Sequence, residues 1–385
     1  MTAPLFSTGL FPTGLVSKDH EPVEPVTPEA WVALSLLPGV GPRTVKALRE
    51  QALAWPEAWL SALSPKARVP LQAYLCDPLE SPLGLRVSAY LRWCDGEARS
   101  IVTPSCAAWP SVLDELPDPP IVLWAHGAYS ALTLPGFAMV GTRKPTSEGA
   151  FNARRFSQAL AQQGLAVISG LALGVDGLCH QAALEAGAPT VAVLGCGIDV
   201  VYPRQHQRLR ERIVAEGGLL LSEHPPGVQA RPQFFPRRNR LITGLALGVL
   251  VVEATLKSGS LVSARLALEQ NREVFALPGS LSNPQARGCL HLIQQQGAKL
   301  VIDVDDILGE LLLPVSEQVL ARPAAPDQAD VPVAGLAAFL GAEPVAIDVL
   351  VERAGKSIAE CASELMMLEL EGVVQQVAGG WVRCR

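Results

Sequence analysis

Arg237, Arg238 and Arg240 stand within four residues of one another, directly after Phe234, Phe235 and Pro236, with Asn239 between them. A guanidinium is a planar fork that matches a phosphate, and aromatic rings stack on unpaired bases while cations track the backbone. A solvated basic helix start would not need two phenylalanines beside it. Proline suits the first helical position, so this run is expected to open a helix whose free N–H groups face an anion. Gly141-Thr142-Arg143 forms a second candidate loop, in which the glycine lets a ligand approach the backbone and Arg143 supplies a fork. Lys257-Ser258-Gly259-Ser260 forms a third. Its Ser-Gly-Ser turn, ahead of a helix capped by Ser260, can make an anion-binding nest, although it lacks the spacing of a Walker loop.

A fourth stretch runs from Ser169 through Gly170 and Asp176 to His180. Its glycines mark a close backbone approach between strand and helix. Asp176 and His180 lie four apart on one helix face and could form an acid–base pair. The preferred reading makes Asp176 a brace for the loop and His180 an ordinary structural histidine. No G-x-G-x-x-G run is present and no acid stands where a dinucleotide ribose would need one, so nicotinamide cofactors are not expected.

These loops need a scaffold, and the pattern between Ile121 and Ile302 supplies one. Apolar runs at 137–140, 165–168, 190–194, 219–221, 248–252, 273–276 and 299–302 alternate with helical stretches near 147–163, 174–187, 205–216, 236–246, 260–271 and 288–296. Strands such as Gly248-Val249-Leu250-Val251-Val252 are apolar on both faces. That belongs to an α/β fold, an extended Rossmann-like and mostly parallel sheet with helices on both faces. Ligands of such sheets sit at the carboxyl ends of the strands, where all four loops fall.

The chain has 385 residues, enough for two or three domains. Residues 1–28 read as a mobile tail, 29–110 as a small helical domain, 111–312 as the Rossmann-like core, 313–335 as a proline-rich linker and 336–385 as a winged helix. Within the second segment, Leu36 to Arg43 reads either as the turn of a helix-hairpin-helix or as part of a sterile-alpha-motif type of module, which is preferred because the region is not net basic. The overall charge of -6 hides a division. Residues 135–300 carry 17 Lys and Arg against 10 Asp and Glu, while 1–134 is net -4 and 301–385 net -9. A basic middle between acidic ends suits a polyanion. The eight cysteines include no C-x-x-C pair, which argues against a metal site and fits reduced thiols in a cytoplasmic protein. No apolar run is long enough to span a bilayer and no membrane partner is expected.

Taken in order, the pieces resemble the DNA-processing protein A family, DprA, also called Smf. They are Val140-Gly141-Thr142-Arg143, Ser169 to His180, Ala192-Val193-Leu194-Gly195 through Tyr202-Pro203, Ser222-Glu223-His224-Pro225-Pro226-Gly227, Phe235 to Arg240, Lys257-Ser258-Gly259-Ser260 and Ala276-Leu277-Pro278-Gly279. The helical front end and winged-helix tail resemble those of longer members. The resemblance implies a homodimer that binds single-stranded DNA, protects it and helps load the RecA recombinase, notably in natural transformation, without being an enzyme or using a cofactor. Family DNA contacts carry over to Gly141, Arg143, Arg237, Arg240, Lys257, Ser258 and Gly259. The chain departs at Thr142, where the family usually has serine, at Glu148, where it has tyrosine, and at Gly177 and Cys179, where alanine is frequent.

Two rivals remain open at this point. A phosphoribohydrolase acting on a nucleoside monophosphate would use a similar sheet, with Glu253, Asp176 and His180 as acid–base candidates. A sequence-specific regulator would read DNA through the winged helix, but the helix expected at 357–370 contains no Lys or Arg and three glutamates. A protein contact suits that helix better.

Overall fold

The computed structural model describes residues 23–311, 335–341, 344–370, 373–377 and 379–383. Residues 1–22 of the expected tail at 1–28 lie outside the described residues, but its end is held to the helical unit, since Glu24 pairs with Arg49, the Pro25 carbonyl accepts the Trp31 indole N–H and Thr27 caps the first helix. The expected linker at 313–335 lies outside the described residues but for Gly335.

The chain divides into a compact unit ending at Ser88 and a second one from Ala89 onwards. The first contains helices α1 (Pro28–Ser35), α2 (Pro42–Glu50), α3 (Glu57–Ala62) and α4 (Pro65–Cys76), followed by α5 (Pro82–Leu91). Thr27 caps α1 ahead of a proline, the pairing that a helix start favours. The core is tryptophan-rich: Trp31 and Trp59 are fully buried and meet edge to face, and Trp55 packs on Trp59 in the same way. Gly39, in the left-handed region at φ +74°, turns the chain from α1 into α2.

The second unit is built on a sheet that has nine strands among the described residues. They are β1 (Arg99–Val102), β2 (Leu123–Gly127), β3 (Gly136–Val140), β4 (Ala166–Ser169), β5 (Thr190–Val193), β6 (Leu219–Ser222), β7 (Gly248–Val251), β8 (Glu273–Ala276) and β9 (Lys299–Leu300). Their order is β1-β2-β6-β5-β4-β3-β7-β8-β9. All neighbours from β6 to β9 pair in parallel, whereas β1–β2 and β2–β6 are antiparallel. Side chains alternate between the faces. Phe137, Met139, Val167 and Leu250 join Phe156 of α6 (Ser147–Gln162), Cys179 of α7 (Val175–Glu185) and Ile307 of α12 (Val304–Leu308). On the other face Val140, Val193 and Val249 meet Ile242 of α9 (Phe234–Gly244), Ala264 of α10 (Ser260–Glu269) and Leu292 of α11 (Arg287–Gln295). A further helix, α8 (Gln207–Ala215), precedes β6.

The expected strands and helices of the core are present, with ends shifted by at most two residues. The domain boundary is corrected. Residues 99–102 belong to the sheet, not to a helical segment running to 110. The front helices close their own core by Ser88. Beyond residue 334, α13 (Ile347–Ala354), α14 (Ile358–Leu370) and the hairpin of β10 (Val374–Val377) with β11 (Gly380–Arg383) make the winged helix. Its core gathers Leu336, Leu350, Cys361 and Leu365. The carboxylates of α14 serve that domain itself. Glu364 takes the N–H of Leu336 and the ammonium of Lys356, and Glu369 takes the N–H of Gln376. No helix among the described residues is long and apolar enough to cross a membrane.

Candidate nucleic-acid interface

The strand order places the site. From β3 the chain steps outward through β4 and β5 to β6, then returns through α9 to lay β7 on the other side of β3. Such a reversal opens a crevice at the carboxyl ends of the strands. Here the crevice is a cleft of about 540 Å³. One wall is Gly141, Thr142 and Arg143, after β3. Another is Ser258, Gly259 and Ser260, after β7. The remainder comes from Asp176, Tyr202, Arg231 and the start of α9 with Phe235, Arg238 and Asn239. Ten of the residues expected from sequence thus line one cavity although more than a hundred positions separate them.

The local structure revises several expectations. Helix α9 begins at Phe234, so Pro236 is its third residue; the first turn still has no use for the missing N–H. Gly259, not Ser260, caps α10, while the hydroxyl of Ser258 takes the N–H of Ser260 at 3.3 Å. Gly141 makes room for the chain's own Val175, whose Cγ2 would stand 2.5 Å from an added Cβ. The N–H groups of Arg143 and Gly259 have no acceptor among the described residues, so both turns can still donate to an anion.

The arginines of α9 separate into different roles. Arg237 is exposed, like Arg143 and Lys257, and among the described residues none of the three has a carboxylate partner. Arg240 is not a free cation. It is 5% exposed, and its guanidinium meets Asp118 at 3.0 Å and Glu223 at 2.6 Å. An arginine buried between two carboxylates holds its own fold together and has no fork to spare for phosphate. Arg238 is buried as well. One nitrogen donates to the carbonyl of Gly170 at 2.7 Å and also to that of Val193, and Nε donates to Asn239. Burial lowers its pKa to about 10, against the pull of Asp176. Asp176 holds the same peptide from the other side, accepting the N–H of Gly170 at 3.1 Å and of Ala172 at 3.3 Å. A side chain at Gly170 would collide with the Arg238 guanidinium. Lys257 and Arg237 stand outside the cleft lining, and Phe234 stands beside it.

The acid–base set of the rival hydrolase is not assembled. Glu253 is buried and accepts the hydroxyl and N–H of Thr146 at 2.6 and 2.9 Å, which ties the end of β7 to the cap of α6. Asp176 is the brace that sequence suggested. His180 is fully buried, with Nδ1 against the Thr190 hydroxyl at 2.8 Å; since that hydroxyl donates to the Val167 carbonyl, Nδ1 carries the proton. Its Nε2 is buried without a partner, and burial lowers its pKa from 6.5 to about 3, helped by His206 and Arg238. Unfolded, this imidazole protonates near 6.5. Its contribution to stability is therefore complete above that pH and is lost as pH falls towards 3. We expect about 2–3 kcal/mol of stability to disappear from this group alone between about pH 7 and pH 4.5. Urea unfolding of His180→Gln should show a flatter pH dependence than the wild type. An unchanged slope would mean that His180 is not the titrating group.

Two cleft residues escaped sequence reasoning. Arg231 is exposed and its guanidinium lies 5.8 Å from the Phe234 ring centre. Its signal was available, since it stands three residues before Phe234. Tyr202 packs on Phe235 with ring centres 5.2 Å apart. It stood among the residues that carried the family resemblance, but nothing in its neighbours marked it as a site residue.

A family model described as DNA recombination-mediator protein A matches residues 100–312, and one described as the DprA winged helix domain matches 320–380. The chain belongs to this family. Protein Smf of Escherichia coli (strain K12) is 40% identical over 321 residues, covering 82% of this chain and 84% of that protein. DNA processing protein DprA of Streptococcus pneumoniae (strain ATCC BAA-255 / R6) is 43% identical over 209 residues, 54% of this chain and 72% of that one. Among solved family structures, DNA processing protein A from Streptococcus pneumoniae aligns with TM-score 0.60 and 32% identity over 75% of this chain and all of that one. DNA processing protein A from Helicobacter pylori, whose structure was described for its single-stranded DNA binding mode, aligns with TM-score 0.50 and 32% identity over 56% and 95%.

Proposed function

We propose that this chain is a DNA-processing protein that binds single-stranded DNA in the cleft at the carboxyl edge of its sheet. The observation that carries this is the grouping of unpaired cations with aromatic rings around two turns with free N–H groups. Arg143, Arg231, Arg237 and Lys257 track the backbone, and the Gly141–Arg143 and Ser258–Ser260 turns hold phosphate. Asn239 and Phe235 line the cleft where the bases would pass. The names of its relatives and the DNA-binding mode described for the Helicobacter protein support the same reading. The finer parts of the proposal rest on the family resemblance. They are protection of the strand, delivery to RecA in transformation or repair, a homodimeric state and a cytoplasmic place. No catalytic step is part of it.

The test is affinity for a single-stranded oligonucleotide, the matching duplex and a mononucleotide over a salt series. Single strands should bind tighter than duplex, and the logarithm of the affinity should fall by about 0.7 per phosphate contact for each decade of salt. Equal affinity for strand and duplex at moderate salt would refute the cleft as the DNA site. Turnover of the mononucleotide without oligonucleotide binding would revive the hydrolase reading.

A further inference from the structure

Phe234 and Phe235 are the rings that the sequence offers to bases, but neither is the outermost ring of the cleft. Phe234 already has two planar neighbours, the His224 imidazole with ring centres 4.0 Å apart and the Arg231 guanidinium. Phe235 is half-buried and seated on Gly195, where an added Cβ would stand 2.8 Å from the ring. Its other neighbour is Tyr202, tilted by 43°. Backbone, Phe235 and Tyr202 thus form successive layers, and Tyr202 faces the cavity with 44% of its surface exposed.

We propose that Tyr202 is the base-stacking wall of the cleft: its open face receives one nucleobase, while the turns at Gly141–Arg143 and Ser258–Ser260 hold the adjoining phosphate. The inference rests on the single-strand reading and assigns the base end of that same site. Three observations support it. The ring is backed by Phe235, so it is ordered before a base arrives and costs little entropy to use. The ring is 44% exposed and lines the cavity, so one side of it is open to a ligand. The cleft, at about 540 Å³, is on the scale of a site for one small ligand, which limits it to a single nucleotide of a longer strand. The two ends differ in chemistry as a nucleotide does, with cations and N–H donors at one and planar rings at the other.

A double-mutant cycle tests this, using a short deoxythymidine oligonucleotide and an abasic strand of equal length on wild type, Tyr202→Ala and Tyr202→Phe. The wild type should bind the abasic strand more weakly. Tyr202→Ala should lose roughly tenfold on the base-bearing strand and almost nothing on the abasic one, because stacking on a ring contributes on the order of 1–3 kcal/mol per base. Tyr202→Phe keeps the stacking face and should match the wild type on both. Thermal melting checks that each variant folds. If Tyr202→Ala weakens both strands equally, or neither, Tyr202 is not the stacking wall even though the cleft binds DNA. If the wild type binds neither strand, the single-strand reading itself fails.

Discussion

Replacing Arg143 and Arg231 together by alanine should weaken single-strand binding by about a hundredfold at moderate salt, roughly tenfold for each charge-assisted hydrogen bond to phosphate that disappears. Both side chains are exposed on the cleft and neither has a carboxylate partner among the described residues, so folding should not change. The loss should be the same for every base sequence, since phosphate contacts carry no base information. The salt slope should also flatten, by about 0.7 for each phosphate no longer neutralised. Titration of labelled oligonucleotides at four or five salt concentrations reads both quantities. Affinity within twofold of wild type, on an unchanged slope, would show that the strand lies elsewhere.

Arg238→Met should act on stability rather than on charge at the surface. The methionine fills similar volume but leaves the carbonyls of Gly170 and Val193 without their donor, and leaves the buried Asp176 carboxyl without a compensating cation. Breaking a buried charge arrangement by removing one member costs about 3–5 kcal/mol. For a domain of this size that lowers the melting temperature by on the order of 10 °C. Arg238→Lys should recover only part of the loss, because a single ammonium cannot reproduce a fork that serves two carbonyls and Asn239. A melting temperature within about two degrees of wild type would show that the Gly170 clamp contributes little. The two experiments together separate exposed arginines of the cleft, which act on binding, from a buried one, which acts on stability.

Much of the fold was legible. Strands β3 to β8 are apolar on both faces, and helices with a 3.6 period separate them, so the parallel sheet follows from pattern alone. The candidate loops could be found because each follows one of those strands. What stayed hidden depended on partners distant in sequence. Strand β1 has only Ile101 and Val102 buried, and its pairing with β2 is a tertiary fact. Arg240 reads as a DNA contact until Asp118, more than a hundred residues earlier, and Glu223 are brought against it. Gly141 reads as space for a ligand until Val175 fills it. Tyr202 lies in a loop whose neighbours give no sign that Phe235 will stack behind it. In each case the residue type was informative about chemistry, and the missing information was which distant groups the fold would bring beside it.

The return of the chain through α9 means that the cleft straddles a seam in the polypeptide. The wall at Arg143 and the ring of Tyr202 come from segments laid down before the reversal, while the start of α9 and the turn at Ser258–Ser260 come with it and after it. A nucleotide held between them would act as a stitch across that seam, tying the outward half of the sheet to the half that comes back. Ligand affinity and cohesion of the sheet would then be one quantity seen from two sides: each strand bound would slow the opening of β3 from β7, and any looseness at that join would show first as lost grip on DNA.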